Sequence, residues 1–103
     1  MSLQNTAARG AVKKVYIAGK ITGDAGYREK FAAAEQKLRG EGFIVLSPAV
    51  LPEGMRSADY MRICFAMIDV ADKVAFLGDF VESHGARLEW EYCAYTKKEV
   101  VLL

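Results

Sequence analysis

Four short apolar runs alternate with three longer stretches of helical periodicity, and this alternation constrains the chain more than any other feature. The runs cover residues 12–18, 43–46, 73–78 and 99–103. In the first, Val15 and Ile17 fall on one side of an extended chain, Tyr16 and Ala18 on the other. Both sides are apolar or aromatic, as suits a strand covered on both faces. After it, Tyr27, Phe31, Ala34 and Leu38 recur at helical spacing, with Arg28, Lys30, Glu35 and Lys37 mostly away from them. This helix opens at Asp24 or Gly26, runs to about Arg39 and is stopped by Gly40 and Gly42. Ser47-Pro48 ends the second run, and residues 49–56 read as a loop. A second helix is expected from Tyr60 to Ala71, capped by Ser57 or Asp59, and a third from Leu88 to Lys98.

Strands that alternate with helices in this way build a parallel sheet with right-handed crossovers. The expected class is α/β, a flavodoxin-like or Rossmann-like three-layer fold whose four parallel strands lie in the order 2-1-3-4. In that order the direction of travel reverses between strands 1 and 3, and a crevice opens at their carboxyl ends. The loop after Ala18 and the loop after Leu77 both empty into it. Gly19–Gly23 and Ser83–Glu89 are therefore expected to be neighbours.

The 103 residues suit one domain over 12–103, preceded by a flexible leader over 1–11. Fourteen basic against thirteen acidic residues leave no basic excess, which argues against a nucleic-acid partner. No apolar run approaches the ~20 residues of a membrane span, so no membrane partner is expected. Cys64 and Cys93 have neither metal nor disulfide spacing and read as reduced thiols of a cytoplasmic protein. No metal and no cofactor are expected. The segment Ile63 to Ile68 is apolar on every side, whereas a surface helix shows one stripe. A homodimer or higher homo-oligomer through helix 57–71 is the expected consequence.

The stretch Ser83-His84-Gly85-Ala86-Arg87-Leu88-Glu89 lies where a strand turns into a helix. Helix starts leave backbone N–H groups unpaired, and small residues let a ligand approach them. A glutamate in a first turn ordinarily just complements the helix dipole; here it stands at the switch point. Gly19-Lys20-Ile21-Thr22-Gly23 offers glycines, a cation and a hydroxyl, without the spacing of a Walker loop. Tyr16 is a core candidate whose hydroxyl needs a partner if buried. His84 reads as a solvated loop residue, and Arg62, Arg87, Asp72 and Asp79 as solvated charges or helix ends.

Val15-Tyr16-Ile17-Ala18-Gly19, Thr22-Gly23 and Ser83-x-Gly85-Ala86-x-x-Glu89, with Ala94 beyond, resemble the nucleoside 2-deoxyribosyltransferase-like superfamily. That superfamily includes deoxyribosyltransferases and 2′-deoxynucleoside 5′-monophosphate N-glycosidases, and the resemblance is greatest to a small phage and bacterial branch. It implies a small-molecule nucleoside or nucleotide substrate. Glu89 matches the family's nucleophile, which attacks the anomeric carbon, displaces the base and passes the resulting glycosyl ester to another base or to water. Tyr16 matches the tyrosine that orients it. Ser83 matches a 5′-phosphate contact, with Gly85 beside it. Gly19, Lys20 and Thr22 match positions lining the sugar-phosphate site. There are three departures. Cys64 stands where the resemblance implies a second carboxylate that protonates the base, with Asp69 and Asp79 the substitutes to consider. Glu91 replaces a glycine two residues beyond Glu89. The sequence ends at Leu103, where the enzymes continue into a neighbour's site.

Three readings follow: an N-glycosidase or N-deoxyribosyltransferase, a non-catalytic nucleotide or sugar-phosphate binding module, and an interaction protein acting through helix 57–71. Receiver-like or flavodoxin-like roles lack, respectively, an acidic pair after strand 1 and a hydroxyl-rich first loop.

Overall fold

A computed structural model describes residues 12–103; the leader expected over 1–11 lies outside the described residues. Strand β1 (Lys14–Ala18) leads into α1 (Tyr27–Gly40), β2 (Ile44–Leu46), α2 (Ser57–Val70), β3 (Lys73–Phe76), α3 (His84–Thr96) and β4 (Glu99–Leu102). The strands form one sheet in the order β2-β1-β3-β4, every pair parallel. Strand order and fold class are those expected from the alternation of apolar runs.

The pleat of β1 divides the core. Val15 and Ile17, with Ala75 and Leu77, pack against Phe31, Ala34 and Leu38 of α1. Tyr16 and Ala18, with Val74 and Phe76, pack on the opposite side against Cys64 and Ile68 of α2 and Cys93 of α3. The three layers follow from period-two alternation in strands that are apolar on both sides. Tyr16 is thereby committed to the face that carries α3.

Several boundaries differ from expectation. Short 3-10 helices at Pro48–Val50 and Gly78–Glu82 replace loop and strand end. Neither is long enough to show a period. The cap of α2 is Arg56, and Asp59 lies three residues in, accepting the Arg56 backbone N–H at 3.2 Å. Helix α3 starts at His84, four residues before the expected Leu88, with Ser83 as its N-cap: its Oγ accepts the Ala86 N–H at 3.2 Å. Glu89 consequently sits in the second turn, so the dipole of a first turn does not account for it.

Helix α2 buries only Cys64 and Ile68 completely, while Phe65 stacks on Tyr92 at 4.3 Å between ring centroids. Ile63 and Val70 stay exposed, so its apolar surface continues outward past the core. Among the described residues no helix is long and apolar enough to cross a membrane.

Candidate functional site

At the carboxyl ends of β1 and β3 lies a cleft of about 1100 Å³. The Gly19–Ala25 loop, the loop from Leu51 to Gly54, the start of α2 and the start of α3 form its walls. Tyr16, Cys64 and Glu89 line its floor, each almost wholly buried.

Among the described residues, Glu89 is the one buried carboxylate, 4% exposed. Its Oε2 accepts a hydrogen bond from the Tyr16 hydroxyl at 2.5 Å. The two residues are 73 positions apart in the chain. Sheet order brings them together, since Tyr16 faces α3 from the strand beside β3. Burial pushes the Glu89 carboxyl up to about 7, against the opposing effect of the Tyr16 and Cys64 hydrogens. Burial and then the Glu89 charge push the Tyr16 phenol well above its ordinary range. The Cys64 thiol, near enough to both to perturb them, is itself raised by burial to about 11. At neutral pH Tyr16 and Cys64 therefore keep their protons, and Glu89 titrates between carboxylic acid and carboxylate.

The cleft brings most of the expected site residues together. Tyr16, Gly19, Thr22, Ser83, Gly85 and Glu89 all line it. Ser83 caps α3 with one lone pair and keeps its O–H to donate. Gly85 gives the helix start close access to α2: an added Cβ would stand 3.4 Å from the Met61 methyl. Gly19 has a second, structural reason to be glycine, because a Cβ there would lie 2.8 Å from Cδ1 of Leu77.

Lys20 does not line the cleft. Its ammonium pairs with Glu82 at 3.5 Å, and its backbone N–H donates to Asp79 at 3.1 Å. Asp79, read as a solvated charge or a helix end, lies in the first turn of the 3-10 helix Gly78–Glu82 and is bonded to Lys30 of α1. The Lys30 ammonium donates to the Lys20 carbonyl at 2.8 Å, to Asp24 at 2.5 Å and to Asp79. This clasp ties the loop after β1 to the 3-10 helix after β3, the two segments flanking the switch point. Burial works against the charge on Lys30, but its bonds to Asp24 and Asp79 outweigh it and raise the ammonium's pKa. Asp69, the other substitute acid considered, accepts from the Tyr92 hydroxyl at 2.7 Å, and neither it nor Asp79 reaches the cleft.

Sequence reasoning missed the far wall. Leu51, Glu53, Tyr60 and Met61 line the cleft, and their placement depends on the turn after Pro48 that brings residues 51–54 over the sheet end. Pro48, Pro52 and Gly54 marked that turn as irregular but carried no signal of where it points. His84, assigned to a solvated loop, is the exposed first residue of α3 and lines the mouth. Among the described residues no group of His, Cys, Asp or Glu is arranged to hold a metal ion.

A family model described as a domain of unknown function, DUF4406, matches residues 13–102. The chain belongs to the DUF4406 family. No curated protein matches its sequence. Among solved structures, the DUF4406 domain is similar to a 2-deoxyribosyltransferase from the psychrotolerant bacterium Bacillus psychrosaccharolyticus, with a TM-score of 0.68 and 23% identity. The match covers 86% of this chain and 70% of that one. The DUF4406 domain thus shares the fold of that enzyme.

Proposed function

We propose that this DUF4406 domain cleaves or exchanges the N-glycosidic bond of (deoxy)nucleosides or their 5′-monophosphates, with Glu89 as nucleophile. The observation that carries this reading is the Tyr16–Glu89 pair: a buried carboxylate aimed into an 1100 Å³ cleft and held by a phenol at 2.5 Å. A buried, unneutralised carboxylate costs stability, so its retention calls for a use. The shared fold of a deoxyribosyltransferase and the sequence resemblance support the chemical class.

In this reading the ionised Glu89 oxygen attacks the anomeric carbon, and the electron pair of the glycosidic bond leaves with the base. A second base or water then opens the glycosyl ester. Tyr16 fixes the carboxylate's orientation. Ser83 and Gly85, with the free N–H groups at the start of α3, face the 5′-phosphate. Gly19 and Thr22 border the sugar. Lys20 reaches the phosphate only by exchanging Glu82 for it.

The test is base release from a panel of deoxynucleosides and their 5′-monophosphates. Release by the native chain, abolished in Glu89→Ala, is expected. No release from any of them, or release indifferent to Glu89→Ala, defeats the proposal.

A second reading is a binding module that holds a nucleotide or sugar phosphate without cleaving it. Cys64 favours it, standing beside Glu89 with a proton it does not give up. Ligand-induced thermal stabilisation without turnover distinguishes this reading, because it needs only binding to the folded state.

We further propose that the apolar outer face of α2, with Ile63 and Val70 exposed, packs on a second copy of the chain. Sedimentation equilibrium is expected to show a dimer or higher oligomer, and a strict monomer at high concentration overturns it. A cytoplasmic setting accords with nucleotide substrates and with the free thiols Cys64 and Cys93.

A further inference from the structure

Attack at a sugar carbon and departure of the base make separate demands. A neutral purine or pyrimidine leaves as an anion unless a donor protonates it, and such a donor contributes roughly 10²–10⁴-fold. Among the described residues, Glu89 apart, the carboxylates and the Tyr60 hydroxyl that line the cleft are committed elsewhere. Asp24 accepts from the Gly26 N–H at 2.9 Å and from the Lys30 ammonium at 2.5 Å. Glu53 accepts from Arg28 at 2.6 Å and from the Tyr27 hydroxyl at 3.1 Å. These bonds, with Lys30 first for Asp24 and Arg28 first for Glu53, hold both carboxyls below the ordinary carboxylate range. Glu82 is paired with Lys20. The Tyr60 hydroxyl donates to the Pro52 carbonyl at 2.6 Å. On the floor, Tyr16 and Cys64 are weaker acids than usual. His84 flanks Ser83 and Gly85, at the phosphate end of the proposed pose, with the sugar between it and the base.

We infer that the cleft is built for N-glycosides whose leaving group carries its own positive charge, an N-alkylated purine or a pyridinium, and that Cys64 on the floor beside Glu89 sets this specificity. The inference rests on the glycosidic reading above. A base of this kind needs no proton from the protein. The Glu89 oxygen forms a bond to the anomeric carbon as the carbon–nitrogen bond breaks. The electron pair of that bond cancels the ring's positive charge, and the base departs neutral. Water then adds to the same carbon and loses its proton to solvent, while the ester's electron pair returns to Glu89.

A matched pair tests this: 7-methyl-2′-deoxyguanosine 5′-monophosphate, whose base is cationic, and unmethylated 2′-deoxyguanosine 5′-monophosphate. Rates are taken above the spontaneous loss of each base, with Glu89→Ala as the blank. The native chain is expected to release the methylated base at least roughly 100-fold faster. Cys64→Asp, which puts a carboxyl at the floor, is expected to raise cleavage of the unmethylated nucleotide roughly 10-fold or more and to narrow the ratio. His84→Gln is expected to leave the ratio unchanged. Comparable Glu89-dependent release from both nucleotides by the native chain overturns the inference while sustaining the glycosidic reading. So does selective loss of unmethylated-base release in His84→Gln, which would make that ring the donor. Failure to release either base above the blank defeats both readings together.

Discussion

Glu89 gives up its proton near 4.5 in an unfolded chain and at about 7 in the folded one, because burial disfavours its charge. Between those values the folded state holds more protons than the unfolded state. Stability is therefore fully present below pH 4.5 and falls as pH rises through 7. The shift corresponds to about 3 kcal/mol. Glu89→Gln keeps the shape and an acceptor for Tyr16 but cannot ionise. It is expected to leave stability near the native value at pH 4.5 and to raise it by up to about 3 kcal/mol at pH 8, read from urea melts at both. If Glu89 is the nucleophile, kcat/KM rises with pH to a plateau above about 7. Tyr16→Phe removes the 2.5 Å donor. It is expected to cost about 1–3 kcal/mol and to move the midpoint of that pH profile upward, since the Tyr16 hydrogen bond holds the Glu89 pKa down. The alternation of β1 announced that Tyr16 was buried. Its partnership with Glu89 was legible only through strand order and the family resemblance, because nothing local to either residue encodes a contact across 73 positions.

At the level of elements, the ends of strands and helices decide the shape of the cleft. Gly19 ends β1 under Leu77, and a Cβ would lie 2.8 Å from one Leu77 carbon and 3.0 Å from another. Gly19→Ala is expected to destabilise the fold by about 1–3 kcal/mol through overpacking, visible as a lowered urea midpoint. Helix α3 ends on Lys97, which holds a left-handed conformation at φ 60°. Lys97→Gly relieves that conformation and is expected to stabilise by about 0.5–1 kcal/mol in the same measurement. The periodicity of α1 was plain in Phe31, Ala34 and Leu38, its buried residues. The start of α3 was not, because Ser83, His84 and Gly85 carry turn chemistry and the apolar repeat is recognisable only from Leu88. The 3-10 helix at Gly78–Glu82 was equally silent, being too short to repeat. That helix decides the partners of Lys20: Glu82 at its end takes the lysine's charge, and Asp79 takes its N–H.

Across the whole molecule, topology places the cleft and the clasp holds its rim. The order β2-β1-β3-β4 opens the crevice, and Lys30 binds the two segments on either side of it through Lys20, Asp24 and Asp79. Alternating runs are enough to foretell a parallel sheet and its switch point. They are not enough to foretell the wall made by Leu51, Glu53, Tyr60 and Met61, which depends on how one irregular turn folds over the sheet end. The glycosidic reading and the preference for cationic bases both rest on Glu89 attacking a sugar carbon. The most direct measurement is acid-quenched mass spectrometry of the protein during turnover of a deoxynucleoside 5′-monophosphate with a cationic base. The expected result is a deoxyribosyl phosphate adduct on the peptide carrying Glu89, absent in Glu89→Gln. Base release with no adduct on that peptide, continuing undiminished in Glu89→Gln, would contradict it.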